Sequence, residues 1–296
     1  MGAALAEASR AARDVFAEVD EALGQNLSRL MREGPDEELR LTENAQPAIM
    51  ANSLAVFAAL TKEGGVELAK AASFVAGHSL GEYSALAAAG SFDLPTTAKL
   101  LKLRGRAMQQ AVPIGQGAMA ALLGADLALA RRIAEVAAQG EVCTVANDND
   151  PSQVVLSGHK GAIDRVIEIA KEMGAKRAIA LPVSAPFHCP LMQPAADAMQ
   201  DALSYVVVGD PAVPVFANVT AQAESDPDTI RNLLVEQVTG MVRWRESVLA
   251  MGETGVEEFV EIGGKVLGPM VKRIAPDVQV SSVVAMEDID ALVKEI

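Results

Sequence analysis

The sequence has few cysteines and no excess of positive charge. Its 296 residues include only two cysteines, Cys143 and Cys189, which lie far apart and form no Cys-x-x-Cys pattern. This argues against a disulfide framework or a zinc site, and it fits a reducing compartment. Acidic residues outnumber basic ones by 39 to 25, which gives a net charge of −14 at pH 7. We therefore expect no nucleic-acid partner and no anionic membrane surface as a partner.

Long apolar runs and targeting signals are also missing. No apolar stretch reaches the length that spans a bilayer, and no basic region followed by an apolar block opens the chain. We therefore expect a soluble, cytoplasmic protein. Neither a phosphate-binding glycine loop nor a set of metal ligands at a recognised spacing occurs. We expect no tightly bound cofactor and no metal.

One short stretch does carry a chemical signal. A β-type run over residues 73–76 is followed by a Gly-x-Ser-x-Gly pentapeptide at 77–81, and an Ala-rich helical pattern begins at once. This strand–turn–helix context is typical of a nucleophile elbow, with Ser79 at its apex. We expect side chains at Gly77 and Gly81 to clash with the neighbouring strand and helix. The first N–H groups of the helix would favour negative charge beside the serine.

A serine nucleophile needs a base, and the chain has three histidines. His78 adjoins Ser79 and leaves the turn in another direction, so it is a poor base that could still line the pocket. His159 lies in a loop of the predicted insertion described below. His188 lies in a Pro-bounded loop where the insertion rejoins the main domain, and it is the predicted base. The sequence leaves the group that orients its ring open among Asp197, Asp210, Glu246 and a backbone carbonyl.

Arg104 is the second informative position. It lies in the middle of the apolar face of a helix predicted over residues 96–112. A guanidinium keeps its proton, so an inward-facing arginine needs either an internal carboxylate or a bound anion. The residues alone leave both alternatives open.

The pattern of elements predicts an α/β protein. Between Pro113 and Pro186 the order is βαββαβ, typical of a ferredoxin-like domain. Its predicted strands are Ala118–Leu123, Val142–Ala146, Gln153–Ser157 and Arg177–Val183, its helices are Leu127–Ala138 and Ala162–Met173, and Asn147–Pro151 is a turn. We expect this domain, 114–184, to be inserted into a larger domain formed by 1–113 and 185–296. There, alternating strands and helices predict a mostly parallel sheet covered on both faces.

Taken together, these motifs resemble a known family. Residues 77–83, Arg104-Gly105 and Phe187-His188 are similar to malonyl-CoA:acyl carrier protein transacylases of fatty acid and polyketide synthesis, and the likeness extends over nearly the whole chain. The matching segments include Gln46-Pro47-Ala48-Ile49, Asn218-Val219-Thr220 and Glu261-Ile262-Gly263. The resemblance implies a hydrolase-like α/β domain with a ferredoxin-like insertion. It also implies transfer of malonyl from malonyl-CoA to the phosphopantetheine thiol of acyl carrier protein through a malonyl-serine.

The resemblance assigns roles residue by residue. Ser79 is the implied nucleophile, His188 its base and acid, and Arg104 the clamp on the malonyl carboxylate. The main-chain carbonyl of Gln237 is implied to hold the histidine, and the backbone N–H of Leu80 to be an oxyanion donor. Phe187 and Leu80 accompany malonyl selection in this family, and His78 is expected to line the pocket. We expect the enzyme to be a monomer.

The chain departs from the family pattern at its start. The family begins with a strand and a Gly-Gln-Gly-Ser-Gln loop that supplies a second oxyanion N–H, whereas this sequence starts at the following helix. Of two interpretations, a start assigned too late and a weakened homologue, we favour the first. The alternative functions are a serine thioesterase or esterase and a carrier-protein-binding module without catalysis. For docking of an acidic carrier protein, the candidate basic groups are Lys99, Lys102 and Arg106, or Lys265, Lys272 and Arg273.

Overall fold

The computed structural model describes residues 1–183 and 185–296, so that Ser184, the last residue of the predicted insertion, lies outside the described residues. The fold is mixed α/β, mostly helical with small sheets. The N-terminal part is almost entirely helical. Its elements are α1 Ala3–Ala8, α2 Arg10–Leu23, α3 Leu27–Glu33, α4 Asp36–Leu39, α5 Thr42–Ala58, a π-helical turn Ala59–Glu63, α6 Leu68–Ala71, β1 Val75–Ala76, α7 Leu80–Ala88 and α8 Leu94–Gln110.

Local chemistry sets several of these boundaries. The apolar periodicity predicts one helix from the start of the chain to Gly24, but the structure has two, because Ser9 caps α2 by accepting the N–H of Ala12. Pro47 suits the first turn of a helix and predicts that α5 begins there, but the helix begins five residues earlier, at Thr42. Most of α5 is buried, so packing outweighs the one helical hydrogen bond that proline cannot donate.

Residues 117–180 form the middle part of the fold. Its elements are β2 Gly117–Leu123, α9 Leu127–Ala138, β3 Cys143–Asp150, β4 Gln153–His159, α10 Lys160–Ile169 and β5 Arg177–Ala180. The strands form an antiparallel sheet in the order β3-β4-β2-β5. The two helices pack on this sheet and enclose an apolar cluster of their own, around Leu122, Ile133, Leu156 and Ile163.

The predicted turn at 147–151 is wrong over most of its length. Strand β3 continues through Asp150 and pairs with β4, with two register shifts. The polar side chains of this segment have partners outside the sheet that keep it extended. The carboxylate of Asp148 pairs with Arg245 at 2.9 Å, and that of Asp150 pairs with Arg273 at 2.7 Å. Tertiary contacts have therefore overridden the local turn preference of Asn and Asp.

The C-terminal part returns to alternating strands and helices. After a 3₁₀ turn at Pro190–Met192 come α11 Gln193–Ser204, β6 Val215–Ala217, β7 Gln222–Glu224, α12 Pro227–Thr239, α13 Trp244–Glu253, β8 Glu258–Ile262, α14 Leu267–Ile274, β9 Gln279–Val283 and α15 Met286–Glu295. The expected mostly parallel sheet is not continuous in the described residues. Strand β1 pairs parallel with β6, which pairs antiparallel with β7, whereas β8 and β9 form a separate parallel pair. Strand β1 has only two residues, too few to extend the pairing.

The contact between α5 and α8 depends on a glycine. A Cβ on Gly105 would lie 2.5 Å from the carbonyl oxygen of Thr42 and 2.6 Å from the Cα of Glu43. Both are backbone atoms that cannot rotate away, so only glycine allows the first turn of α5 to approach α8 this closely. The same approach brings Gln46 on α5 to Arg104 on α8, where their side chains are hydrogen-bonded.

We expect Gly105→Ala to destabilise the protein by roughly 1–3 kcal/mol, because the added methyl group forces two helices apart. The matched control is Gly252→Ala in α13, where nothing lies within 4 Å of the added Cβ. That substitution should be neutral or stabilise by up to about 1 kcal/mol. Urea unfolding followed by circular dichroism measures both changes. Equal stabilities for the two variants would contradict the proposed close contact.

Candidate active site

The nucleophile elbow has the geometry that its sequence predicts. Ser79 lies between β1 and α7 with φ 54° and ψ −112°, a backbone conformation that side chains rarely adopt. A Cβ on Gly77 would lie 2.0 Å from the backbone of Gly81, so the turn requires glycine at 77. The expectation for Gly81 is wrong, since a Cβ there would meet nothing within 4 Å. The two glycines therefore differ: only Gly77 is sterically required.

Asn218 fixes the turn from the end of β6. Its Oδ1 accepts the backbone N–H of Ser79 at 2.7 Å, and its Nδ2 donates to the carbonyl of Gly77 at 2.7 Å. Because both polar ends of one amide are used, the turn cannot move without breaking two hydrogen bonds, one buried and one partly buried. This residue belongs to a segment that matches the family, but no local pattern assigns it to the site.

His188 adjoins the serine and is buried, with 4% of its surface exposed. Its Nε2 lies 2.8 Å from Ser79 Oγ, and its Nδ1 lies 2.9 Å from the main-chain oxygen of Gln237. A carbonyl can only accept, so Nδ1 carries the proton and Nε2 is free to take one from the hydroxyl. Burial and the nearby charge of Arg104 lower the pKa of His188 to about 3, so the ring is neutral near pH 7.

The carboxylates that the sequence left open as orienting groups lie elsewhere. Asp197 accepts a hydrogen bond from Gln193 at 2.8 Å, Glu246 pairs with Arg243, and Asp210 is exposed. Of the four alternatives, the structure therefore places a backbone carbonyl against the histidine ring. This group orients the ring without contributing a full negative charge.

Arg104 is buried beside the serine, with 1% of its surface exposed. Its Nη1 donates to Gln46 Oε1 at 2.7 Å, and its Nη2 donates to Gln237 Oε1 at 2.8 Å and to Ser79 Oγ at 3.1 Å. The guanidinium lies 5.7 Å from the centre of the Tyr83 ring. Burial lowers the pKa of Arg104. No carboxylate of residues 1–183 or 185–296 forms a salt bridge with it, so two neutral amides hold a buried cation.

Glu82 is a site residue that sequence reasoning missed. Its side chain is 1% exposed, and one oxygen, Oε2, accepts the backbone N–H of Asn218 at 3.1 Å and Nε2 of Gln237 at 2.8 Å. Burial raises the pKa of Glu82 to about 7 against the hydrogen bonds and the charge of Arg104, which lower it. The available signal was its place in the first turn of the helix that follows the elbow, where a carboxylate is not needed for helix packing.

The remaining predicted residues surround this group. His78 turns away from the serine and its Nε2 lies 2.9 Å from Asn149 Oδ1, while burial lowers its pKa. Phe187 is half-buried and packs against apolar clusters of both the helical part and the middle sheet. Leu80 is the first residue of α7, so its N–H has no partner within the helix. The expected loop position of His159 is wrong, because this residue ends strand β4, where its Nδ1 accepts the N–H of Val142 at 2.9 Å.

The described chain lacks both a membrane-spanning helix and a cluster of metal-binding side chains. Within residues 1–183 and 185–296, none of the helices combines the length and apolar character that crossing a membrane requires. The same residues contain no group of three or more histidine, cysteine, aspartate or glutamate side chains that could hold a metal ion.

The raised pKa of Glu82 has a consequence for stability. A carboxyl whose pKa is higher in the folded state than its ordinary 4.5 stabilises the fold below pH 4.5, and this contribution is lost as pH rises through about 7. Glu82→Gln removes it, so between pH 4 and pH 8 the variant should gain about 3 kcal/mol relative to wild type. Denaturant unfolding at both pH values measures the difference. Glu236→Gln, an exposed carboxyl on α12, is the control and should show no such gain; a pH-independent difference for Glu82→Gln would contradict the burial effect.

Comparison with known proteins shows the family of this chain. The family model of the acyl transferase domain matches residues 1–267. A malonyl CoA-acyl carrier protein transacylase of Escherichia coli is 45% identical over 270 residues, which cover 91% of this chain and 86% of the relative. Among solved structures, an acyl-carrier-protein-S-malonyltransferase from Bartonella henselae superimposes with a TM-score of 0.97 at 50% identity, covering 100% of this chain and 94% of that one.

Another solved structure contains a carrier protein. It is described as a type II PKS acyl-carrier protein in complex with its malonyl-transacylase, with a TM-score of 0.96 and 40% identity over 100% of this chain and 95% of that chain. The resemblance inferred from the motifs is confirmed by the family match and by these relatives. The chain belongs to the acyl transferase domain family.

Proposed function

We propose that this chain transfers a malonyl group from malonyl-CoA to the phosphopantetheine thiol of acyl carrier protein, through a malonyl ester on Ser79. The observation that supports this best is the position of Arg104. An activated serine alone fits many hydrolases and transferases, but here a buried guanidinium without a carboxylate partner donates to the same hydroxyl at 3.1 Å. The substrate that such a site favours carries a free carboxylate next to its acyl carbon.

The acylation step uses the serine and histidine as nucleophile and base. Nε2 of His188 accepts the hydroxyl proton of Ser79 while Oγ bonds to the thioester carbon. The carbonyl oxygen becomes an oxyanion, to which the N–H of Leu80 donates at the positive end of α7. The carbon–sulfur bond then breaks, the thiolate of CoA takes the proton from His188, and malonyl-Ser79 remains.

Arg104 provides selection for malonyl. Its planar fork can donate two parallel hydrogen bonds to the malonyl carboxylate, which a lysine cannot match. The amide oxygens of Gln46 and Gln237 orient the guanidinium without neutralising it. The positive charge therefore remains available for the substrate. We propose that Phe187 and His78 line the acyl pocket beside this group.

Deacylation repeats the chemistry with a second thiol. His188 takes the proton of the phosphopantetheine thiol, whose sulfur attacks the ester, and the proton returns to Ser79 as its Oγ–carbon bond breaks. The related transacylase that was solved with its acyl carrier protein supports this partner. Of the basic groups considered for docking, Lys102 donates internally to Gln25 and Asn44, which leaves the exposed Lys99 and Arg106 on that face.

We also propose the oligomeric state, the cofactor requirement and the location of the enzyme. The serine, the histidine and the arginine contact one another directly within this chain, and we propose that a monomer is sufficient. The steps above move protons and an acyl group between side chains and substrates, and they require no tightly bound cofactor. The acidic chain with two buried free cysteines fits the proposed cytoplasmic location.

Two domains account for the arrangement of the site. We propose that residues 114–184 are a ferredoxin-like domain inserted in a hydrolase-like α/β domain formed by 1–113 and 185–296. The separate apolar cluster between α9, α10 and their sheet supports this division. The nucleophile, the base and Arg104 all come from the larger domain, and the smaller one contributes Asn149, which contacts His78.

The malonyl-serine intermediate can be observed directly. Incubation with malonyl-CoA without carrier protein should add the mass of one malonyl group to wild type and none to Ser79→Ala. Ser84→Ala changes a buried serine of the following helix α7, whose hydroxyl has no hydrogen-bond partner; it is the matched control and should still be labelled. Intact-mass spectrometry measures all three. No adduct on wild type, or an adduct that survives Ser79→Ala, contradicts the proposal; rapid release of free malonate would instead support a thioesterase.

The role of Arg104 separates a malonyl transferase from a general acyl transferase. We expect Arg104→Ala to lower kcat/KM for malonyl-CoA by roughly 10²-fold or more, because it removes a buried charge partner. Transfer of an uncharged acetyl group should hold or rise. Arg104→Lys should not restore malonyl transfer. Arg10→Ala, an exposed arginine on α2 that has no role in the proposed site, should leave both rates unchanged. Equal losses on malonyl and acetyl substrates would overturn the clamp.

A further inference from the structure

We infer that Glu82 is a positioning residue for the transfer reaction, whose carboxylate holds Gln237 and Asn218 in place and supplies the negative charge that the His188 imidazolium requires. This inference rests on the proposed function and extends it to a residue that touches neither substrate nor reacting atoms. It comes from the hydrogen bonds beneath the elbow and from the balance of charge in the site.

One carboxylate oxygen joins two separate parts of the site. Oε2 of Glu82 accepts from Nε2 of Gln237 on α12 at 2.8 Å and from the backbone of Asn218 after β6 at 3.1 Å. Asn218 in turn holds the N–H of Ser79. Without an acceptor at this point, two buried donors would be unsatisfied, which is costly in a site closed to water.

Gln237 connects Glu82 to both side chains that contact the serine hydroxyl, Arg104 and His188. Its Nε2 donates to Glu82 and to the carbonyl of Ser79, so its Oε1 is left to accept from Arg104. Its main-chain oxygen accepts from Nδ1 of His188. The amide can satisfy all these contacts in one orientation only, and the carboxylate of Glu82 selects that orientation because it cannot donate when ionised.

The imidazolium that forms during the reaction needs a negative charge from the protein. When His188 takes the serine proton, the malonyl carboxylate is already paired with Arg104, and the carbonyl that orients the ring is neutral. In many serine enzymes a carboxylate in that position stabilises the imidazolium. Among the described residues, Glu82 is the carboxylate in this hydrogen-bond network, one residue removed from the ring through Gln237. The Gln237 carbonyl therefore orients the histidine ring, and we assign to Glu82 the negative charge that stabilises the imidazolium.

Of Glu82 and the groups that face it, only Glu82 should change its charge near neutral pH. Arg104 on α8 stays protonated, and burial raises the pKa of Tyr83 on α7. His188 has its pKa lowered to about 3, and that of His78 is lowered by burial. The groups from β6 and α12, Asn218 and Gln237, do not ionise. Glu82, with a pKa of about 7, is the member of this set that changes charge between pH 6 and 8.

The test is the pH dependence of acylation. The malonyl thioester of N-acetylcysteamine is the acyl donor, because it carries no phosphate that titrates in this range. Single-turnover formation of malonyl-Ser79 is followed by quenching and intact mass from pH 5.5 to 9. Wild type and the exposed control Glu236→Gln should accelerate through an apparent pKa near 7. Glu82→Gln, which keeps the shape and can still accept on one oxygen, should be flat and roughly tenfold slower than the wild-type plateau.

Each result decides whether Glu82 acts in the acylation reaction. A wild-type rate that is flat across pH 7, or a Glu82→Gln profile and rate equal to wild type, would show that Glu82 only fills space and would overturn the inference. If Glu82→Gln fails to fold, the wild-type profile alone decides. Absence of any adduct on wild type would instead count against the proposed malonyl transfer, so the two failures are distinguishable.

Discussion

A buried guanidinium that lacks an anionic partner is the constraint on which this structure depends. Removing a charge from water costs several kcal/mol unless hydrogen bonds and a counter-charge replace the solvent. At Arg104 the hydrogen bonds come from Gln46 on α5 and Gln237 on α12, so three helices must meet at one point. Gly105, the next residue, is what allows α5 to come close enough. The packing of the helical part and the chemistry of the site therefore have one cause.

Gln237 holds the Arg104 cation in position without neutralising its charge. A carboxylate in its place would bind Arg104 more strongly and would neutralise the charge before any substrate arrived. An amide offers a weaker acceptor, and its second end donates to the serine carbonyl and to Glu82. The negative charge is thereby placed one amide away from the guanidinium. The site keeps an overall balance of charge while its substrate-facing surface remains positive.

The sequence allows the local features of this fold to be predicted better than the distant ones. Helix α9 has the predicted bounds because Asp126 caps its first turn, and the elbow follows from Gly77 and Ser79 within a few residues. Residues that act across long separations were missed. Asn218 meets Ser79 across 139 positions, and nothing local distinguishes it from other asparagines. The extended segment ending at Asp150 was also predicted incorrectly, since arginines from α13 and α14 hold it.

Backbone strain occurs at residues that carry out the chemistry. In the described chain four residues other than glycine have positive φ, and two of them are Ser79 and His188, at 54° and 56°. Such conformations persist only where the surroundings hold them in place. Asn218 does this for the serine by binding both sides of its turn, and the Gln237 carbonyl fixes the histidine ring. Both holders are themselves held by one oxygen of Glu82. The buried carboxylate of Glu82 therefore stabilises the positions of all three groups: the strained nucleophile Ser79, the strained base His188 and the arginine that lacks a counter-charge.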